Sequence, residues 1–173
     1  MQLAVNISAQ QFRQPDFVEQ TCKIIKQTAI NPERLELELT ESMVLGEIAD
    51  TINKMNTLKK MGVRFSLDDF GTGYSSLSYL TQLPLDQLKI DQSFVRNIDT
   101  KVTDAVIIQT IVGMANNLGM VVIAEGVETQ PQRDFLANIG CMLYQGNFFS
   151  EPVPIMELEK TLVTFVTKSK ERQ

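Results

Sequence analysis

Histidine is absent from the 173 residues. That removes the commonest zinc ligand and general base, so any metal site must be built from oxygen ligands. Cysteine is scarce as well. Cys22 lies on the apolar side of a predicted helix and Cys141 opens a predicted strand, so both read as small buried hydrophobes rather than a disulfide or a metal pair. Basic residues are outnumbered, 16 Lys and Arg against 21 Asp and Glu, for a net charge of −5. A DNA or RNA duplex needs a basic face to neutralise its phosphates, which excludes nucleic acid as a general partner. A small anionic ligand stays open, because bound cations can reverse the local field. No run of 18 apolar residues occurs and no signal peptide opens the chain. The reading is therefore a cytoplasmic protein, or a cytoplasmic module of a larger one, without a membrane span. The tail at 168–173 is entirely polar apart from its position and is expected to be disordered.

What the chain does contain is alternation. Strand-like runs at 3–8, 34–40, 63–68, 86–91, 120–125 and 141–145 are interleaved with helix-like runs at 15–29, 47–61, 75–82, 102–118, 130–139 and 154–167. The helix at 47–61 is expected to bury Ile48, Ile52, Met55 and Leu58, and the one at 102–118 to bury Ile107, Ile111, Met114 and Leu118. Gly62, Gly119 and Gly140 each sit where a helix must turn back into a strand. Thr129 with Gln132 has the spacing of a capping box, with Pro131 in the first turn. Repeated β–α units imply a parallel sheet. Two architectures fit: an open doubly wound sheet, or a barrel of about 250 residues with two of its eight units missing.

The polar residues favour the barrel. Leu3, Val5 and Ile7 share one face of the first strand and Asn6 the other. In Leu35–Leu39 the leucines share a face and Glu36 and Glu38 share the opposite one. Arg64, Ser66 and Asp68 alternate with apolar residues, as does Lys89. One amphipathic strand means only a wet face. Four together suggest a polar face turned inward, where unpartnered carboxylates cost several kcal/mol, about the penalty of a buried charge. Glu36 with Arg64 reads as a structural ion pair. Asn6, Glu38, Asp68, Asp69, Lys89, Glu125 and Gln145 lie near the C-terminal ends of different strands, where barrel enzymes build their sites. Asparagine and carboxylates are hard ligands suited to Mg²⁺ or Mn²⁺. Adjacent Asp68 and Asp69 could bridge two ions in the arrangement used against phosphodiesters, and a lysine beside them can hold the attacking water.

Val5-Asn6-Ile7-Ser8, Glu38-Leu39-Thr40-Glu41, Asp68-Asp69-Phe70-Gly71-Thr72-Gly73-Tyr74-Ser75-Ser76, Leu88-Lys89-Ile90-Asp91, Ala124-Glu125-Gly126-Val127-Glu128 and Gln145-Gly146 resemble the successive motifs of EAL domains, in the family's order. The resemblance covers nearly the whole chain. It implies a modified TIM barrel, here an incomplete one of about six parallel βα units, with residues 1–173 as the C-terminal portion of the domain. It implies hydrolysis of cyclic di-GMP to linear pGpG with two Mg²⁺ or Mn²⁺ ions. Asn6, Glu38 and Asp68 then resemble ligands of the first ion, and Asp68 and Asp69 ligands of the second. Lys89 and Gln145 resemble holders of the attacking water, with Glu125 a further carboxylate. Glu41 would anchor the loop 70–76, which includes Gly71, Thr72 and Gly73, and Glu128 would sit nearby. An ordinary helix-start carboxylate is the competing reading for Glu41 and Glu128, and plain turn chemistry for the two glycines.

The departures are as informative. The Glu-Ala-Leu segment and a nearby arginine, which in the family precede the asparagine motif, are not among these residues; Asn147 stands where the family usually has an aromatic, and Gln92 follows Lys89-Ile90-Asp91. A phosphodiesterase that is weak or inactive as this chain alone is therefore expected. The alternative is a non-catalytic module that binds cyclic di-GMP or a protein partner. Loss of two strands would leave an open edge, which predicts a homodimer or larger assembly. Sensory or signalling domains outside the chain are expected as well.

Overall fold

The computed structural model describes residues 2–44, 48–72 and 77–160. Six strands form one sheet in the order of the sequence: β1 (Leu3–Asn6), β2 (Leu35–Thr40), β3 (Arg64–Phe70), β4 (Gln87–Ile90), β5 (Val121–Ala124) and β6 (Leu143–Tyr144). Every pairing is parallel. The helices are α1 (Ala9–Phe12), α2 (Phe17–Thr28), α3 (Glu41–Val44), α4 (Ile48–Lys59), α5 (Leu77–Leu80), α6 (Gln92–Val95), α7 (Val102–Asn117) and α8 (Gln130–Asn138), with a further helical turn over 155–160. The sheet curls into a half-barrel with helices alternating along it, the incomplete TIM-like architecture that the strand faces predict. None of the described helices is long and apolar enough to cross a membrane.

The expected elements are present, most with shorter ends, while β3 runs two residues further than expected, to Phe70. β6 has two residues, and Cys141, expected to open it, lies just before it as a buried side chain. Both cysteines are unpaired, and Cys22 is half-buried with its sulfur 3.2 Å from that of Met61. Short α1, α3 and α6 escape a reading by periodicity because four residues make barely one turn. Local caps fix two of them: Ser8 with Gln11 in a capping box, and Asp91, which accepts a hydrogen bond from the Ser93 N–H. The residues 161–173, including the rest of the helix expected at 154–167 and the polar tail, lie outside the described residues.

Packing explains which helix faces are inward. Met55 and Leu58 of α4 are fully buried, with Ile52 packed beside them. The α7 expectation needs correcting. Its buried stripe is Ile108, Ile111, Val112 and Ala115, while Ile107 and Leu118 are exposed. Both stripes are apolar in the sequence, so helical spacing could not choose between them; the sheet surface did. At α8 the expected capping box is present: Thr129 Oγ1 accepts the Gln132 N–H, and Gln132 Oε1 accepts those of Thr129 and Glu128. Gly62, Gly119 and Gly140 adopt left-handed backbone at the three helix-to-strand returns.

Parallel register stacks the inward residues in layers. Leu39, Phe65, Leu67, Leu88 and Ile90 are buried against the helices. Inside the curl, Glu36 is buried and accepts hydrogen bonds from Gln87 Nε2 (2.7 Å) and Gln2 Nε2 (2.8 Å). Its expected partner Arg64 stands opposite in register, but the closest approach is 3.9 Å, so the two amides are its close contacts. Burial lifts the Glu36 carboxyl above the usual glutamate range; Arg64 opposes this, and Glu38 and Asp86 add to it. A carboxyl raised in the folded state stabilises most while protonated. Its contribution is present below about pH 4.3, the ordinary glutamate value, and is lost as pH climbs through the raised one. Urea unfolding of the wild type and of Glu36→Gln across pH 4 to 8 is expected to show the gap moving in favour of Gln as pH rises. A gap independent of pH would overturn this assignment.

Candidate active site at the strand ends

The C-terminal ends of β2, β3, β4 and β5 bring four side chains together. Lys89 Nζ lies 2.6 Å from Glu125 Oε1, 3.0 Å from Glu38 Oε1 and 3.1 Å from Asp68 Oδ1. The Lys89 side chain is only 5% exposed. Glu38 pairs with Ser66 and Lys89 with Ile123, so Asp68 and Glu125 each lie two residues beyond the register partner, and the slant of strands in a curled sheet brings them back to the level of Glu38 and Lys89. Burial alone would discharge Lys89. The hydrogen bonds and charges of Glu125, Glu38 and Asp68 outweigh it and hold the ammonium above the usual lysine range. Burial raises the Glu125 carboxyl, Lys89 opposes that, and Asp68 and Glu38 reinforce it.

Asp68 and Asp69 reach this level together because β3 stops being regular there. Adjacent strand residues normally point to opposite faces. Asp69 instead takes a left-handed conformation (φ 55°), at a register shift against β4 between Leu67 and Phe70. Irregularities of this kind re-aim side chains next to active sites. One carboxylate oxygen from each of Asp68, Asp69 and Glu125 lies within 4.8 Å of the others. Loss of solvent and then the charges of Asp68 and Asp91 lift the Asp69 carboxyl above the usual range, against the pull of Lys89. A hard, all-oxygen donor set whose own charges oppose one another fits a divalent cation. Asp91, quoted above as part of a motif without a role, thus acts on the cluster as well as capping α6. An aspartate directly between a strand and a helix is the local signal for such a cap.

The other expected residues fall as follows. Asn6 ends β1 opposite Glu38 in register and is exposed, without a hydrogen bond to the carboxylates among the described residues. Glu41 is buried, and its Oε2 accepts the Gly71 N–H at 3.3 Å, while its Oε1 has no partner. Gly71 has left-handed backbone and is packed against the Phe94 ring. Thr72 Oγ1 donates to the Asp69 carbonyl at 2.9 Å. Gly73, with Tyr74, Ser75 and Ser76, lies outside the described residues. Gln145 follows β6, and its backbone N–H donates to the Ala124 carbonyl at 2.8 Å. Glu128 is exposed, and its backbone N–H donates to Gln132.

The EAL domain family matches residues 1–152. This chain belongs to the EAL domain family. Among its relatives is the cyclic di-GMP phosphodiesterase NbdA of Pseudomonas aeruginosa, 43% identical over 94% of this chain and 21% of that protein. The EAL match therefore spans about a fifth of the length of the curated relatives. The half-barrel superposes on the MucR phosphodiesterase in complex with c-di-GMP with a TM-score of 0.87 at 39% identity, covering 91% of this chain and 64% of that one. It also matches Klebsiella pneumoniae BlrP1 in its manganese and calcium complexes with the dinucleotide, each with a TM-score of 0.80 at 34% identity over 87% of this chain and 39% of that one.

In this EAL domain Lys89 is the counter-ion of three carboxylates. Lys89→Ala leaves Glu38, Asp68 and Glu125 facing one another without a cation, and losing one partner of a buried pair costs about 3–5 kcal/mol. In chelator, urea unfolding of Lys89→Ala is expected to show a loss of that size, with Mn²⁺ recovering part of it. A variant as stable as the wild type in chelator would remove Lys89 from this role.

Proposed function

We propose that this EAL domain hydrolyses one phosphodiester of cyclic di-GMP to linear pGpG with two Mg²⁺ or Mn²⁺ ions. The observation that carries the reading is the convergence of Lys89 with Glu38, Asp68 and Glu125 at the strand ends, beside Asp69. Asn6, Glu38 and Asp68 would hold the first ion and Asp68 with Asp69 the second, with Glu125 as a further carboxylate. Such ions, when bound, polarise the phosphate oxygens and the attacking water. Lys89, held protonated, donates a hydrogen bond that orients the water, and Gln145 holds it from the end of β6. Water adds to phosphorus, the P–O bond to one ribose 3′ oxygen breaks, and that oxygen leaves with a proton. Glu41 restrains the start of the loop at 70–76 through Gly71, keeping Asp69 turned toward the site. Glu128 supports the same rim.

The Glu-Ala-Leu segment and its arginine are not among these residues, so the 173-residue chain alone is expected to turn over weakly or not at all. Release of pGpG with Mg²⁺ or Mn²⁺ tests this. Turnover on the order of 1 per second or faster by the chain alone would refute that expectation. In a longer form carrying the upstream segment, activity is expected, and Lys89→Ala or Glu38→Ala should lower it by at least about 100-fold. Dinucleotide binding without hydrolysis by the longer form would favour the non-catalytic module instead.

The same reading places the domain in the cytoplasm, attached to sensory or signalling domains outside these residues. It also predicts self-association. The outer side of β1 carries no strand among those described, and Leu3 and Val5 are exposed beside a cavity of about 640 Å³ lined by Ile7, Phe17, Ile24 and Leu37. Such edges pair with other chains. Light scattering on the chain is expected to give a dimer or larger species; a monomer at micromolar concentration would contradict it.

A further inference from the structure

Two glycines hold the loops that follow β5 and β6 together, directly behind Glu125. The Glu125 N–H donates to the Ile90 carbonyl at 3.1 Å, which carries the β4–β5 ladder one residue past β5. Gly126 then turns the chain in left-handed backbone (φ 67°). It does so in contact with α6: a Cβ at Gly126 would come within 2.5 Å of Gln92 Cβ and 3.3 Å of Gln92 Cα. Val127 is fully buried, and three backbone bonds, two of them its own, tie this segment to the neighbouring loop. Gln145 N–H donates to Ala124, Val127 N–H to Gln145, and Phe148 N–H to Val127, at 2.8, 3.0 and 3.0 Å. Gly146 lies flat against this segment, and a Cβ there would overlap the backbone N, C and O of Val127.

Glu125 is thus the residue between a ladder bond on one side and a glycine-packed turn on the other. Its carboxylate has the shortest contact with Lys89 and also joins Asp68 and Asp69. We propose that Gly126 and Gly146 are positioning residues, which set the Glu125 carboxylate between Lys89 and the Asp68–Asp69 pair by allowing close backbone approach to Gln92 and Val127. Gln92 gains a role here: its Cβ is the surface on which Gly126 rests. The cation-binding part of the proposal rests on the metal site argued above, while the Lys89 part does not.

The experiment uses the 173-residue chain with two readouts, each taken where circular dichroism shows the variant folded. One is the Mn²⁺ dissociation constant. The other is the rate of Lys89 acetylation in chelator, followed by mass spectrometry. Gly126→Ala is expected to weaken Mn²⁺ roughly tenfold, the loss typical of groups that orient metal ligands, and to speed Lys89 labelling. Adding Gln92→Gly removes the opposing Cβ but not the strain of alanine at φ 67°, and is expected to restore part of both. In a Glu125→Gln background, Gly126→Ala is expected to change Mn²⁺ affinity by less than about twofold, because coupled sites do not add. Gly62→Ala is the control, a left-handed glycine packed on Glu33 away from the strand-end cluster, and should leave both readouts unchanged. If Gly126→Ala alone does not fold, the pair with Gln92→Gly, which lacks the Cβ–Cβ clash, decides the matter through the same two readouts.

Effects that multiply with Glu125→Gln, or no rescue by Gln92→Gly, would overturn the positioning role. A wild-type chain that binds no Mn²⁺ would overturn the metal reading instead. Lys89 labelling then still decides whether the glycines position Glu125.

Discussion

Everything at the strand ends depends on one buried ammonium. Lys89 is almost wholly removed from water, and so are much of Glu38, Asp68 and Glu125 around it. Each of these charges would be costly alone. Held within hydrogen-bond distance of one another they compensate, and the low dielectric that makes isolation expensive makes the pairing strong. The arrangement remains short of balance, with more negative than positive charge. Burial first, and that excess after it, raise the carboxyls of Glu125 and Asp69, and a divalent cation would relieve the excess.

The parallel sheet makes this geometry possible. Strands of a curled sheet run at a slant, so residues two places beyond a register partner come level: Asp68, beyond Glu38's partner Ser66, meets Glu38 and Lys89 without any loop having to reach inward. One layer below, the same stagger brings Ser66, two residues beyond Glu36's register partner Arg64, level with Glu36, and Gln87 donates to both. The half-barrel interior is therefore a column of polar layers, each satisfied by side chains from neighbouring strands. The outward face of the same strands carries the apolar core. A site built on strands in this way is held more rigidly than one built on loops.

Irregular backbone supplies what regular strands cannot. Asp69 turns left-handed so that two consecutive aspartates serve one cluster, and Glu41 fastens the chain beyond them through Gly71. The loops after β5 and β6 meet over Val127 with glycine on both sides, so the carboxylate on one loop is referenced to the backbone of the other. The membership of the chain in the EAL family is consistent with these features, since the residues involved fall in the motifs quoted from its sequence.

Much of this was legible beforehand, for identifiable reasons. Alternation within Leu35–Leu39 and Arg64–Asp68 exposed the two-faced strands, and the glycines at 62, 119 and 140 marked the returns from helix to strand. Spacing does not fix the α7 stripe, because Ile107, Ile108, Ile111 and Val112 offer two apolar faces and only the sheet surface selects one. The Glu36–Arg64 pair was visible as an alternation of charge, but the amides of Gln2 and Gln87 that approach it more closely come from residues 34 and 51 positions away. By itself the sequence determined the order of units, the two-faced character of the first four strands and the family, because these depend on local spacing and on motif identity. Which carboxylates touch Lys89, how Asp69 is turned, and where Gly126 and Gly146 rest were decided only by tertiary structure, because each is a contact between segments that the chain brings together only when the sheet curls.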